Sequence, residues 1–290
     1  MDVAIRDMMV PGDAGSFFDT VRAIGVSSIE IEVDAGLRTP RVVDHRGRPY
    51  SIGSTDDRLE FKRRLADEGV RPAALLVNND FSSGDEAQVQ WVFRTVFAAA
   101  EVGAPAVRID PLHRDKSMAR EAVRRRFVDA VRYVLRETAG SGVHLAMENH
   151  GPLANDPLFI DTVFAGVDHP RLGLTLDTGN FYWFGFPLEE VYRLIEKYAP
   201  RTDHTHLKNI NYPPEVAQRR REVGYEYKQY CCGVDEGNLD LLKIVGILKN
   251  GGYAGDLCVE DESLFKHPAE DRLSVLRREV EAVRKATGAA

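Results

Sequence analysis

The sequence predicts an α/β chain folded as a single (β/α)8 TIM barrel over residues 1–290, with an extended loop after strand 7. Three observations predict it. Eight short β-branched runs alternate with longer amphipathic stretches, a pattern that implies parallel βαβ units. Eight such units in one chain suit a closed barrel better than an open sheet. The length, 290 residues, fits one complete barrel of about 250 residues with loop insertions.

The predicted strands cover residues 3–8, 28–33, 73–77, 106–109, 143–148, 172–176, 202–206 and 256–260. Helices are expected at 15–24, 56–68, 85–102, 117–141, 157–166, 187–197, 239–250 and 270–285. Gly25, Gly69, Gly103, Gly142 and Gly252 stand between a helix and the next strand, where helices commonly end on a left-handed glycine. Two segments exceed the minimal unit. Residues 35–55 contain Asp44-His45-Arg46-Gly47-Arg48-Pro49, which reads as a hairpin or ordered loop. Residues 211–238 carry Tyr212, Tyr225, Tyr227 and Tyr230 beside Arg219, Arg220 and Arg221. Both follow strands, so both belong on the C-terminal face, and the second is expected to be a lid or subunit contact.

Composition narrows the function classes. Hydrophobic residues make up 43 % and charged residues 29 %, an ordinary globular balance. The formal net charge of -7 opposes nucleic-acid binding. The runs Arg124-Arg125-Arg126 and Arg219-Arg220-Arg221 are short and read as solvated surface. No apolar run reaches the roughly 18 residues of a membrane span. The opening Met1-Asp2-Val3-Ala4-Ile5-Arg6 lacks the pattern of a secretory leader. Three cysteines, two of them adjacent, form neither a disulfide framework nor a zinc spacing. A reducing cytoplasm is the simple reading, and a homo-oligomer is compatible with the sequence.

Four polar segments end consecutive strands: Met147-Glu148-Asn149-His150, Leu176-Asp177-Thr178-Gly179-Asn180, Thr205-His206-Leu207-Lys208 and Val259-Glu260-Asp261-Glu262. Glu148 to Asp177 is 29 residues, Asp177 to His206 is 29, and His206 to Glu260 is 54, one unit plus the inserted loop. Equal steps put the four side chains at one level over the barrel mouth, where the active sites of such barrels lie. Taken singly, each reads as a cap, a turn or a surface ion pair. Together, three carboxylates and one imidazole suit Mn²⁺, with Mg²⁺, Co²⁺ or Zn²⁺ as alternatives; a thiolate-rich set would favour zinc.

Strand alternation adds supporting residues. His150, Lys208 and Glu262 each stand two beyond a ligand and point the same way if the strands continue. His150 is placed to hydrogen-bond a substrate hydroxyl. Lys208 is placed to stabilise an oxyanion or pair with a carboxylate. Glu30 and Arg108 either face the pocket or form ion pairs inside the mouth. Trp183 and Tyr182 offer an apolar wall for a sugar ring or belong to the core.

Glu148 in "MENHG", Asp177 in "LDTGN", His206 in "HLKN" and Glu260 in "VEDE" resemble the metal ligands of the sugar phosphate isomerase/epimerase family, the xylose isomerase-like barrels. Gly25-Val26-Ser27-Ser28-Ile29-Glu30, Gly237-Asn238-Leu239-Asp240 and Gly252-Tyr253-Ala254-Gly255 are also similar, and the resemblance covers essentially the whole chain. It implies a metal-dependent isomerase or epimerase of a sugar, keto-sugar or polyol. A divalent ion polarises a carbonyl, and Glu148 and Glu260 move the proton on the neighbouring carbon. The alternative is a dehydratase or lyase using the same centre.

The chain departs from the family's ketose 3-epimerases at three positions. Asn180 stands for a histidine three residues after the aspartate ligand. Tyr212 stands for an arginine six after the histidine ligand, and Ala154 for a glutamate six after the first ligand. Asn180 and Tyr212 are therefore counted among the substrate-facing residues with His150, Lys208, Glu30, Arg108 and Trp183. The family's endonuclease branch needs extra histidines where this chain has Asn78-Asn79-Asp80 and Asn180. A non-catalytic sugar-binding barrel has no reason to gather three buried carboxylates.

Overall fold

The computed structural model describes residues 1–12 and 16–288. Eight parallel strands form the barrel: β1 (Val3–Arg6), β2 (Ser28–Glu32), β3 (Arg71–Leu76), β4 (Ala106–Ile109), β5 (His144–Glu148), β6 (Leu172–Asp177), β7 (Thr202–His206) and β8 (Leu257–Val259). The sheet order is β8-β1-β2-β3-β4-β5-β6-β7. A parallel bridge from Leu207 to Val259 joins its two ends. Eight helices cover the outside: α1 (Phe17–Ile24), α2 (Thr55–Asp67), α3 (Glu86–Val102), α4 (Arg120–Glu137), α5 (Pro157–Val167), α6 (Leu188–Tyr198), α7 (Leu241–Asn250) and α8 (Ala269–Thr287). The first residue of the helix expected at 15–24 lies outside the described residues, as do the last two of the expected single domain.

Local chemistry explains the boundaries. Ser54 and Asp57 form a reciprocal capping box that starts α2. Asp85, Asp156 and Asp240 each accept a backbone N–H at the start of a helix. Gly25 ends α1 at φ +93°, a conformation that leaves no comfortable place for a Cβ. Strands β3 and β6 are buried along nearly their whole length, as expected of parallel strands covered on both faces.

The expected hairpin within 35–55 is present, with Arg38–Val43 paired antiparallel to Pro49–Ser51. Two expectations are corrected. The ligand candidates are not at one level: Glu148 pairs with Thr175, whereas Asp177 pairs with His206. Asp177 stands two residues beyond the level of Glu148 because barrel strands must stagger to close. The even offset preserves the face. Arg221, expected on a solvated run, is buried. Its guanidinium lies 4.5 Å from the ring centres of both Tyr182 and Tyr212 and donates to the carbonyls of Tyr182 and Phe186. Residues 211–238 thus have an aromatic core of their own.

Buried Glu279 of α8 anchors that segment, accepting the Val234 N–H at 2.9 Å. Burial, then the neighbouring Asp261, pushes its carboxyl up to about 9. Between its ordinary value of 4.5 and about 9, the folded chain holds a proton that the unfolded chain has released. Stability therefore falls as pH rises through that window. Glu279→Gln keeps the acceptor and removes the titration. Its stability relative to wild type is expected to improve from pH 5 to 9, by no more than about 1.4 kcal/mol per pH unit. Urea melts across that range check it; a difference independent of pH would contradict it.

Candidate metal centre

Glu148, Asp177, His206 and Glu260 come together at the C-terminal mouth, each offering one donor atom within 4.8 Å of the others. All four are buried, at 2 %, 0 %, 0 % and 1 % exposure. Strand β5 delivers Glu148, β6 delivers Asp177 and β7 delivers His206, while Glu260 directly follows β8. Asn149 braces the ends of β5 and β6, accepting the Asp177 N–H and donating to the Asp177 carbonyl. Asp177 Oδ1 accepts the N–H groups of Gly179 and Asn180, both at 2.8 Å. This turn must be glycine at 179, since a Cβ there would meet Lys208 Cβ at 2.9 Å.

The donor atoms fit a divalent cation. Among the described residues, Asp177 Oδ2, His206 Nδ1 and Glu260 Oε2 are buried without a hydrogen-bond partner, an expensive arrangement unless something else satisfies them. Lys208 Nζ lies 3.0 Å from Asp177 Oδ2 and 3.3 Å from Glu260 Oε2, at ion-pair distance but without hydrogen-bond alignment. Three carboxylates and an imidazole form a hard, oxygen-rich set.

The surrounding charges are paired in a definite way. Arg108 is bound to Glu148 and, at 3.1 Å, to Asp110. Arg6 is bound to Glu260 and stands 3.7 Å from Glu30. Burial opposes ionisation of Glu148, yet Arg108 and His206 hold its carboxyl well below the usual range. Lys208, His206 and Arg6 do the same for buried Glu260. Burial, with Glu260 and Glu148 beside it, pushes Asp177 up to about 6 despite Lys208.

Several predicted residues reach the centre. Asn180 Nδ2 donates to Glu148 Oε1 at 3.2 Å. Lys208 also pairs with Glu262 at 3.3 Å, and Glu262 accepts from the Tyr227 hydroxyl of the 211–238 segment at 2.6 Å. His150 Nδ1 faces Asp110 Oδ2 at 2.9 Å. Glu30 takes its ion-pair alternative: it is fully buried behind the histidine, and both its oxygens accept from His206 Nε2 at 2.9–3.0 Å. The placement of Tyr212 is corrected. Tyr212 is 1 % exposed and its hydroxyl donates to the Tyr225 carbonyl. Tyr182 is fully buried beside it. Both rings pack around Arg221, so Tyr182 takes its core alternative and Tyr212 joins it there. Half-buried Trp183 sits against the 211–238 segment at Gly224.

Sequence reasoning missed Arg6, Asp110, Asn149 and His204. Arg6 ends β1 opposite Glu30, and Asp110 directly follows β4. His204 lies 3.1 Å from Glu30, two residues before His206 on the same face of β7.

A model of the family described as "Xylose isomerase-like TIM barrel" matches residues 18–285. The chain belongs to the xylose isomerase-like TIM barrel family. It is similar to the inosose dehydratase of Bacillus thuringiensis (strain Al Hakam), 25 % identical over 156 residues, which are 52 % of this chain and 51 % of that protein. The chain thus spans about half the length of the curated relatives it matches. Among solved structures, the fold is similar to that of an IolI protein with a bound zinc atom (TM-score 0.73, 17 % identity, 99 % of both chains). It is also similar to an L-ribulose 3-epimerase (TM-score 0.69, 18 % identity, 100 % of this chain and 95 % of that one). No helix among the described residues is long and apolar enough to cross a membrane.

The bond between Glu30 and His206 fixes which imidazole nitrogen faces the centre. Such an outer carboxylate orients a ligand histidine and raises its basicity. Glu30→Gln is expected to weaken divalent-metal binding by about 10–100-fold, measured by competition with a chelating dye. Unchanged affinity would remove Glu30 from this role.

Proposed function

We propose that this chain is a divalent-metal enzyme that removes a proton next to the carbonyl of a keto-sugar or keto-polyol and then expels a hydroxyl from the adjacent carbon. The observation that carries this dehydratase reading is an arginine on each ligand glutamate, Arg108 on Glu148 and Arg6 on Glu260. Carboxylates held ionised and fixed suit ligation, whereas epimerisation requires each to release and take up a proton. The similarity to inosose dehydratases supports the same outcome.

Glu148, Asp177, His206 and Glu260 would hold the ion, with Mn²⁺ or Mg²⁺ best matched to the donors and Co²⁺ or Zn²⁺ compatible with them. When bound, the ion polarises the substrate carbonyl and stabilises negative charge on its oxygen. Lys208, a buried cation, adds to that stabilisation. Asp110 holds His150 by Nδ1, leaving Nε2 for the substrate. Nε2 takes the proton from carbon and the imidazolium returns it to the departing hydroxyl. One C–H and one C–O bond break, a C=C bond forms, and water leaves. Residues 211–238 close the mouth against water through Tyr227 and Glu262.

A second reading is an isomerase or epimerase in which Glu148 and Glu260 are the acid and base. It is favoured by the approach of both to one nitrogen: Glu148 Oε1 and Glu260 Oε2 lie 3.4 Å and 3.2 Å from His206 Nδ1. Under either reading the chain is one domain acting on a small molecule. Its three free cysteines suit a reducing cytoplasm.

Proton NMR of metal-loaded protein with a panel of keto-polyols in deuterated water tests both. Dehydration predicts a product with every carbon kept and one hydroxyl fewer. Deuterium entering a product that keeps every hydroxyl would establish the second reading. Neither exchange nor turnover across the panel would overturn both.

A further inference from the structure

We propose that a cleft beside His150 is an anion subsite, and that the substrate carries a phosphate or carboxylate group at the end directed away from the metal centre. The substrate part of this inference rests on the proposed function; the site rests on residues outside the ligand set. The cleft, about 430 Å³, opens between the loops that follow β4 and β5. Three of its ten lining residues carry a permanent positive charge, Arg114, Lys116 and Arg120, two more are histidines, His113 and His150, and none is acidic. In a chain of net charge -7, a lining of one sign creates a local field opposite to that of the whole.

These cations are incompletely neutralised. Arg120 reaches Asp156 at 3.0 Å, and Arg114 stands 4.0 Å from Asp80. Their side chains remain 56 % and 65 % exposed. Lys116 makes no ion pair among the described residues, and His113 turns Nε2 to the Met118 carbonyl at 3.0 Å. The 18-residue helix α4 begins at Arg120 with Ala119 as its cap, so no side chain caps its first turn. The positive end of its dipole therefore reinforces the cleft. Guanidinium groups pair with phosphate or carboxylate oxygens by two parallel hydrogen bonds. The cleft adjoins the centre through His150, which lines it and stands two residues beyond Glu148. A substrate whose anionic end lies in the cleft would present its other end to Lys208 and the ligands.

Calorimetric titration of the metal-loaded full chain with inorganic phosphate, and separately with acetate, tests the subsite in wild type and in Lys116→Ala/Arg120→Ala. Both replaced residues are exposed, so melting temperature and metal content are expected to stay as in wild type. Phosphate is expected to bind wild type and to bind the double variant at least about tenfold more weakly, as for loss of charged hydrogen bonds. Lys116→Glu alone, at a side chain with no ion pair to break, is expected to weaken it as well. Phosphate bound more tightly than acetate assigns a phosphate ester, and the reverse assigns a carboxylate. Equal phosphate affinity in wild type and variants, or no binding of either anion, overturns the proposal. The titration is independent of turnover, so an inactive protein that loses phosphate affinity in the variants retains the subsite and refutes the enzyme reading. A neutral keto-polyol turned over with the same KM as its phosphorylated and carboxylated analogues refutes the anionic substrate and retains the enzyme.

Discussion

Glu148→Gln is expected to lower turnover by about 10³-fold or more, since it weakens the proposed metal centre and the proton chemistry that depends on it. It is also expected to destabilise the fold, which a peripheral active-site substitution would not do. Arg108 is buried against Glu148, and removing one member of a buried ion pair leaves the other charge uncompensated, at about 3–5 kcal/mol. Asp110 keeps one contact with the guanidinium, so the lower end of that range is expected. The double variant Glu148→Gln/Arg108→Met is expected to regain most of the stability and none of the turnover. Urea denaturation with single-turnover assays on the four proteins of the cycle separates the two effects. A Glu148→Gln protein with wild-type turnover would remove Glu148 from the centre. Unchanged stability would show that the Arg108 pair contributes nothing net.

Asp177→Asn is expected to reduce divalent-metal affinity by more than about 100-fold, exceeding the loss expected for an outer-sphere partner. Its Oδ1 accepts two backbone N–H groups, and an asparagine oxygen can retain them, so the turn survives while the ligand oxygen is replaced by an amide NH₂. The substitution also removes a buried carboxyl beside Lys208. Elemental analysis after dialysis, together with the gain in melting temperature on adding Mn²⁺, checks the expectation. Wild type should show a metal-dependent gain through preferential binding to the folded state; the variant should show little. Equal metal content in the two proteins would remove Asp177 from the ligand set.

Much of this architecture is legible in the chain by itself. Alternating strand and helix periods determine a (β/α)8 barrel because each unit must bury one face of a helix on a parallel strand. The positions of Glu148, Asp177, His206 and Glu260 at strand ends follow from the same pattern, because all eight strands run the same way and their C-terminal ends share one mouth. What the tertiary structure alone decided are the partners. Arg6 meets Glu260 across 254 residues and Glu30 meets His206 across 176. Those contacts exist only because β8 returns to β1 and the strands stagger by a particular amount. Residue spacing reports which face a side chain is on, but not its height against a distant strand, and so Asp177 stands opposite His206 but not opposite Glu148. Tyr212 and Arg221 were misread for a related reason. Their run is polar and loop-like locally, and only the folded 211–238 segment closes aromatic rings around the guanidinium and makes a core from residues whose composition suggests a surface.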